Sequence, residues 1–263
     1  MIIRKSPSEV ERMAKSGELV ARTLAIVGAA IAPGVNTAEL DALAEEFIRR
    51  HGAEPTFKGY RGYPASICAS PNSMVVHGIP GGYTLAEGDI LSVDVGVTLN
   101  GFVGDGAFTF PVGETDPAAL ELLETCRAAL VAGVERARAG GRLSDISHAV
   151  QATTESAGFS VVRTLVGHGV GRAMHEDPQI PNYGEPGRGP ELKVGMTLAI
   201  EPMITAGSPD VYVHEDEWSI SSADGSLAAH FEHSIAITGS GPRILTVAPD
   251  LDLAAIAGLS SPS

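Results

Sequence analysis

A mixed α/β (α+β) architecture is written into this chain by three features of its residue pattern. Two pairs of helix-like segments recur in the same order, and each pair runs on into β-rich sequence. Between two apolar runs, Asn100-Gly101 is the strongest short-range signal for a hairpin, a type I′ turn.

The first helix opens at Ser6-Pro7-Ser8-Glu9, an S-x-x-E capping box with proline at the first helical position. Val10, Met13, Gly17, Val20, Leu24 and Val27 then recur at three- and four-residue spacing, which turns one face inward, and Pro33-Gly34 stops the run. Asn36 and Glu39 offer a second capping box for a helix carrying Leu40, Leu43 and Phe47 and ending at Gly52. The second half repeats the grammar: Asp116-Pro117 opens a helix through about Arg138, Gly140-Gly141 breaks it, and residues 143–157 form a shorter helix ending at Gly158. Such a repeat fits an internal duplication, and it equally fits the recurrence of a common helix–turn–helix unit. No composition shift or long linker divides the halves. Residues 1–250 are therefore expected as one domain and residues 251–263 as a flexible tail.

With 263 residues, of which 44% are hydrophobic and 19% charged, the chain can bury a substantial core. Its charged N-terminal stretch, and the lack of any apolar run near the roughly 18 residues of a membrane span, predict a soluble protein without a signal peptide. Two cysteines, Cys68 and Cys126, are too few for a disulfide framework and suit a reducing cytoplasm. A net charge of −14 argues against nucleic acid or an anionic membrane as a partner, and leaves room for bound cations.

Residues 91–110 read LSVDVGVTLNGFVGDGAFTF and place two acids inside apolar strand sequence. Across a two-residue loop, opposed positions sum to 201, so Asp94 faces Ala107 and Asp105 faces Gly96. The aspartates become diagonal neighbours on one face, roughly 7–8 Å apart at the backbone. Ser92, Gly96 and Ala107 keep that face small, while Leu91, Val93, Val95, Val97, Phe102 and Phe108 fill the other. Taken alone, the pattern fits a half-wetted hairpin as well as a ligand floor.

Further polar residues stand in apolar settings. Glu201 ends the run TLAIEPM and Glu232 lies near the start of FEHSIAI, with few basic residues nearby, although a buried carboxylate costs several kcal/mol unless paired or metal-bound. His168 sits among glycines in GHGVG, His175 follows in MHEDP, and His77 lies in VHGIP. A lone histidine is more often a hydrogen-bonded structural residue, and His51, His148 and His214 are read that way. His230 and His233 flank Glu232, with a supporting role left open.

The set says more than its members. Asp94, Asp105, Glu201 and Glu232 bring four negative charges and His168 one imidazole; crowded together, the acids would take up protons unless cations balanced them. Two divalent ions would cancel the charge. Oxygen-rich ligation with a single histidine suits Mn²⁺, Fe²⁺, Co²⁺ or Zn²⁺, and paired ions can make water a nucleophile near neutral pH.

In this order and within VVHGIP, SVDVGV…GFVGD, VGHGVGRAMHEDPQIPNY, GMTLAIEPM and AHFEHSIAIT, the chain resembles the type I methionine aminopeptidases of the M24 metallopeptidases across most of residues 60–240. The resemblance implies a pita-bread fold, in which two pseudo-symmetric halves of antiparallel sheet and outer helices enclose a dinuclear metal site. It implies that Asp105 and Glu232 bridge two ions (Co, Mn, Fe or Zn), that Asp94 chelates one, and that His168 and Glu201 complete the other. Also implied are His175 hydrogen-bonded to the scissile carbonyl or tetrahedral intermediate, His77 in contact with substrate near the scissile amide, and Glu201 handling a proton of the attacking water. Tyr60, Tyr63, Cys68 and Trp218 match positions expected to line the methionine pocket. The implied activity is removal of N-terminal methionine ahead of a small second residue. The implied partners are nascent polypeptide N-termini, met by a cytoplasmic monomer in transient association with the ribosome, without membrane or sequence-specific nucleic acid. Two departures from the family pattern stand out: Gly106 where a hydroxyl residue is common, and Met174 where an aromatic is often found. X-Pro aminopeptidases and prolidases share the ligand order but usually carry a further N-terminal domain, whereas the motif region here begins near residue 60.

Overall fold

The computed structural model describes residues 1–259. In chain order it runs α1 (Pro7–Ala30), α2 (Thr37–Arg50), β1 (Glu54–Pro55), a single 3₁₀ turn (Tyr60–Gly62), β2 (Ile67–Pro71), β3 (Met74–Val76), β4 (Ile90–Leu99) and β5 (Phe102–Pro111). The second half follows as α3 (Pro117–Arg136), α4 (Leu143–Ser156), β6 (Ser160–Val161), β7 (Val166–Gly169), β8 (Glu176–Pro181), β9 (Thr197–Ile200) and β10 (Met203–Thr205). It closes with β11 (Val211–Val213), β12 (Ile220–Ser222), β13 (Ala228–His230), β14 (His233–Thr238), β15 (Gly241–Ile244) and α5 (Leu253–Ile256).

Local chemistry accounts for the helix ends. Both bonds of the Ser6/Glu9 capping box are present, with Pro7 in the first turn. Asn36 caps α2 through the Ala38 N–H at 2.8 Å, one position short of the amide a capping box uses. Asp116 caps α3 through the Ala118 N–H, and α3 ends at Arg136, slightly before the expected Arg138.

The β4–β5 hairpin turns at Asn100 and Gly101, whose φ values of 52° and 76° are those a type I′ turn requires. Its register pairs Asp94 with Ala107 and Gly96 with Asp105, as the loop length dictates. Neither face is wetted as in a simple surface hairpin. Leu91, Val93, Val95 and Val97 are fully buried, and on the aspartate face Ser92, Asp105 and Ala107 are buried too. Helix α1 lies directly on this sheet: a Cβ at Gly104 would come within 2.6 Å of the Gly17 nitrogen.

The other large sheet has the order β15-β14-β9-β7-β8, all antiparallel. His168 pairs with Ala199, and Ala199 with Ser234, so these three share a face. The two-residue period of extended chain then carries Glu201 and Glu232 to the same face, just beyond the ends of β9 and β14. One apolar core threads both halves, from Leu19 through Val93, Leu122 and Ile235 to Leu259. Its last members lie in the segment expected as a flexible tail. There Asp252 caps the short helix α5, and Ala254 and Leu259 are buried because their apolar side chains find a groove against this core. Residues 260–263 lie outside the described residues. Among the described residues, no helix is long and apolar enough to cross a membrane.

Candidate metal centre

The two sheets meet where their acids lie. Ser234 on β14 donates its hydroxyl to the Asp105 carbonyl at 2.8 Å and accepts from the Asp105 N–H at 3.1 Å, while the Glu232 N–H donates to the Ala107 carbonyl at 2.9 Å. These bonds hold the hairpin face with Asp94 and Asp105 against the face that carries His168, Glu201 and Glu232.

His168 reaches this point because its flanking glycines let β7 press against its neighbours. A Cβ at Gly167 would stand 2.5 Å from the Ala199 carbonyl oxygen, and one at Gly169 would stand 2.1 Å from that of Asp177. The His168 Nδ1 lies 2.9 Å from the Gly169 carbonyl, which places the proton on Nδ1 and leaves the Nε2 lone pair free. That Nε2 is 3.5 Å from Asp105 Oδ2 and 3.5 Å from Glu201 Oε1. Ligand atoms of Asp105, His168 and Glu232 all lie within 4.8 Å of one another. These three form the tight part of the cluster, with Asp94 and Glu201 beside it.

The donor set fits divalent cations. Asp94 Oδ1, Asp105 Oδ1 and Glu232 Oε1 are buried with no hydrogen-bond partner among the described residues. Buried acceptors left in this way are uncommon and costly, and a cation is the partner able to satisfy three carboxylates at once. The electrostatics point the same way. Burial, reinforced by neighbouring carboxylates, lifts Asp94 and Glu232 well above the usual carboxylate range. Burial also raises Asp105 against the opposing pull of His168, and lifts Glu201 to about 8. At His168 burial opposes the charge, but Asp105 and Glu201 outweigh it and raise the imidazole to about 9. Divalent charge reverses this proton uptake.

A cavity of about 200 Å³ opens beside the cluster, and all five expected ligands line it. His77, His175, Tyr60, Tyr63, Cys68 and Trp218 line it as well. Cys68 stands opposite Asp94 in the β2–β4 register, and its thiol is held protonated, first by burial and then by Asp94. Tyr63 donates its hydroxyl to the Ile67 and Gly78 carbonyls, and its ring meets Trp218 edge-on at 5.1 Å. His77 adopts φ 60°, uncommon for a residue with a side chain, and burial favours its neutral form. The Tyr60 hydroxyl lies 2.8 Å from His175 Nδ1, tying it to the histidine as well as to the cavity wall. His175, at the exposed mouth, is pushed down to about 4 by the packing around its ring and then by charge on His168.

Sequence reasoning missed Phe57 and Arg61, which also line the cavity. Arg61 lies in a turn rich in left-handed residues, Gly59, Arg61 and Gly62, a pattern that marks a turn without marking a site. Met174 lines the cavity, whereas Gly106 stays outside it: a Cβ there would meet Val20 of α1 at 3.1 Å and the Glu232 carbonyl oxygen at 3.4 Å, and its backbone N–H bonds the Asp105 carboxylate. His51, His148 and His214 each bond a nearby backbone or hydroxyl oxygen, as structural histidines do.

Known proteins match this chain over nearly its whole length. Residues 11–239 match metallopeptidase family M24. A methionine aminopeptidase of Clostridium acetobutylicum is 52% identical over 248 residues, spanning 94% of this chain and 99% of that protein. Methionine aminopeptidase 1 of Bacillus subtilis is 52% identical over 246 residues, with 94% and 99% covered. The crystal structure of a methionine aminopeptidase from Thermotoga maritima superposes with a TM-score of 0.93 at 49% identity, covering 94% of this chain and all of that one. The fold is accordingly the pita-bread fold, and the chain belongs to metallopeptidase family M24, among its methionine aminopeptidases.

Proposed function

We propose that this chain hydrolyses the first peptide bond of nascent proteins and peptides, releasing N-terminal methionine ahead of a small second residue. The observation that carries this reading is the row of orphaned, buried carboxylate oxygens on Asp94, Asp105 and Glu232 beside a small, largely apolar cavity. In this reading Asp94, Asp105, His168, Glu201 and Glu232 would hold two divalent ions (Co, Mn, Fe or Zn). Bound there, the ions supply Lewis acidity toward the scissile carbonyl and lower the pKa of water.

The remaining work falls to the chain. Tyr63, Trp218, Cys68, Phe57 and Met174 offer the unbranched, polarisable methionine side chain aromatic and sulfur contacts. The fixed ring of Tyr63 keeps that pocket narrow. The Tyr60 hydroxyl, bonded to His175 Nδ1, leaves the ring proton on Nε2, where His175 can donate to the scissile carbonyl oxygen as negative charge develops. His77, neutral and held by its backbone at the cavity wall, contacts the substrate near the scissile amide. Glu201, a carboxylate when the site holds divalent charge, takes a proton from the attacking water and passes it toward the leaving amine. The chain acts as a cytoplasmic monomer on nascent N-termini, in transient association with the ribosome, without membrane or sequence-specific nucleic acid.

A peptide series Met-Xaa-Ser with added Mn²⁺ tests this. Met-Ala-Ser should be cut, and turnover should fall as the second residue grows. Cleavage confined to X-Pro peptides would overturn the substrate class. Absence of cleavage together with only trace metal would point to a binding module.

A further inference from the structure

Beyond the ligand set, one buried side chain stands without partners next to it. His230 is 1% exposed, and neither ring nitrogen has a hydrogen-bond partner among the described residues. A buried polar ring left in that condition is costly where an apolar side chain would pack without penalty. Its Nε2 lies 3.7 Å from Glu201 Oε2, while Glu201 Oε1 lies 3.5 Å from His168 Nε2. The Glu201 carboxylate is thus flanked by two imidazoles, one in the metal cluster and one behind it.

We infer that His230 is a positioning residue for Glu201: its Nε2–H restrains Oε2 and so sets the rotation that presents Oε1 to the metal cluster. The inference rests on the metal-dependent reading above. Three observations support it. Strand pairing places His230 opposite Met203, two residues beyond Glu201. The backbone of His230 is pinned on both sides by Thr109, whose hydroxyl donates to the His230 carbonyl at 2.8 Å and accepts its N–H at 3.0 Å. Finally, the Asn182 amide donates to the Glu201 backbone carbonyl at 2.9 Å, and no hydrogen bond among the described residues reaches the Glu201 carboxylate itself. A side-chain adjustment of about 1 Å would bring Nε2 and Oε2 into hydrogen-bond range. Groups that orient metal ligands in this way typically change metal affinity by about 10–100-fold when removed.

Calorimetric titration of the metal-stripped full chain with Mn²⁺ tests the inference. His230→Leu should weaken Mn²⁺ binding by about 10-fold or more, while the melting temperature of the stripped protein stays the same or rises. His230→Gln, which keeps a donor, should recover most of the loss, and His230→Asn, whose amide is shorter, should behave like the leucine variant even if that variant folds poorly. In a Glu201→Gln background, His230→Leu should cost little more, because both act on one carboxylate. Wild-type affinity in His230→Leu, or in His230→Asn, overturns the inference alone, as do additive losses in the double variant. A wild-type chain that binds no Mn²⁺ overturns the metal reading and the inference together.

Discussion

The Ser234 hydroxyl satisfies both backbone groups of Asp105, accepting from its N–H and donating to its carbonyl across the junction of the two sheets. A strand residue of the second half therefore fixes where an acid of the first half stands. Ser234→Ala would leave buried peptide groups unpaired, at about 1–3 kcal/mol. Urea unfolding should show that loss, and Mn²⁺ affinity should fall with it because Asp105 is no longer held.

Lys5 and Glu176 form an ion pair whose side chains are only 4% and 7% exposed. Glu176 also accepts the Arg172 and Ala173 N–H groups, so the pair folds the loop that ends in His175. Removing one partner strands a buried charge, and Lys5→Met should cost about 3–5 kcal/mol of stability by urea unfolding. In steady-state kinetics kcat should fall more than KM rises, with Lys5→Arg recovering part of both losses.

Tyr60 touches His175 as well as the cavity, and its two readings separate kinetically. If its hydroxyl sets the His175 tautomer, Tyr60→Phe should lower kcat by about 10-fold, the worth of one such hydrogen bond, and leave KM for Met-Ala-Ser nearly unchanged. A rise in KM alone would return Tyr60 to the methionine pocket only.

Above about pH 7 the metal-stripped protein should lose stability as pH rises. Glu201 is raised to about 8 and His168 to about 9, so the folded state binds more protons than the unfolded chain between the ordinary values of these groups and the raised ones. Stability linked to those protons is full below pH 4.5 for Glu201 and below 6.5 for His168, and it is lost through about 8 and 9. Thermal melts in a chelator should show a falling Tm from about pH 7 to 9, above the range in which the depressed histidines His77, His175, His230 and His233 take up protons on unfolding. With Mn²⁺ present the trend should flatten or reverse, since binding requires the deprotonated ligands.

Much of this site was legible in the residue pattern, for a physical reason. A two-residue Asn-Gly loop admits one register, and that register alone brings Asp94 and Asp105 onto a common face. Glycines beside His168 signalled a backbone pressed close to its neighbours, as Gly167 and Gly169 show. What stayed hidden depends on contacts between residues distant in the chain. Ser234 reads as an ordinary strand serine until it meets Asp105, and His230 reads as a flanking histidine until β13 pairs with β10 beside Glu201. The chain end read as frayed because two apolar residues, Ala254 and Leu259, declare themselves only against the groove they fill.

The central claim is that four acids and one imidazole gather divalent ions that the reaction requires. Its most direct test is to measure bound Mn²⁺ and Met-Ala-Ser turnover on the same preparations of wild type and Asp105→Ala. The wild-type chain should take up two equivalents and cleave the peptide, whereas Asp105→Ala should lose high-affinity binding and activity together. Full turnover by Asp105→Ala, or cleavage by wild type stripped of all divalent metal, would contradict it.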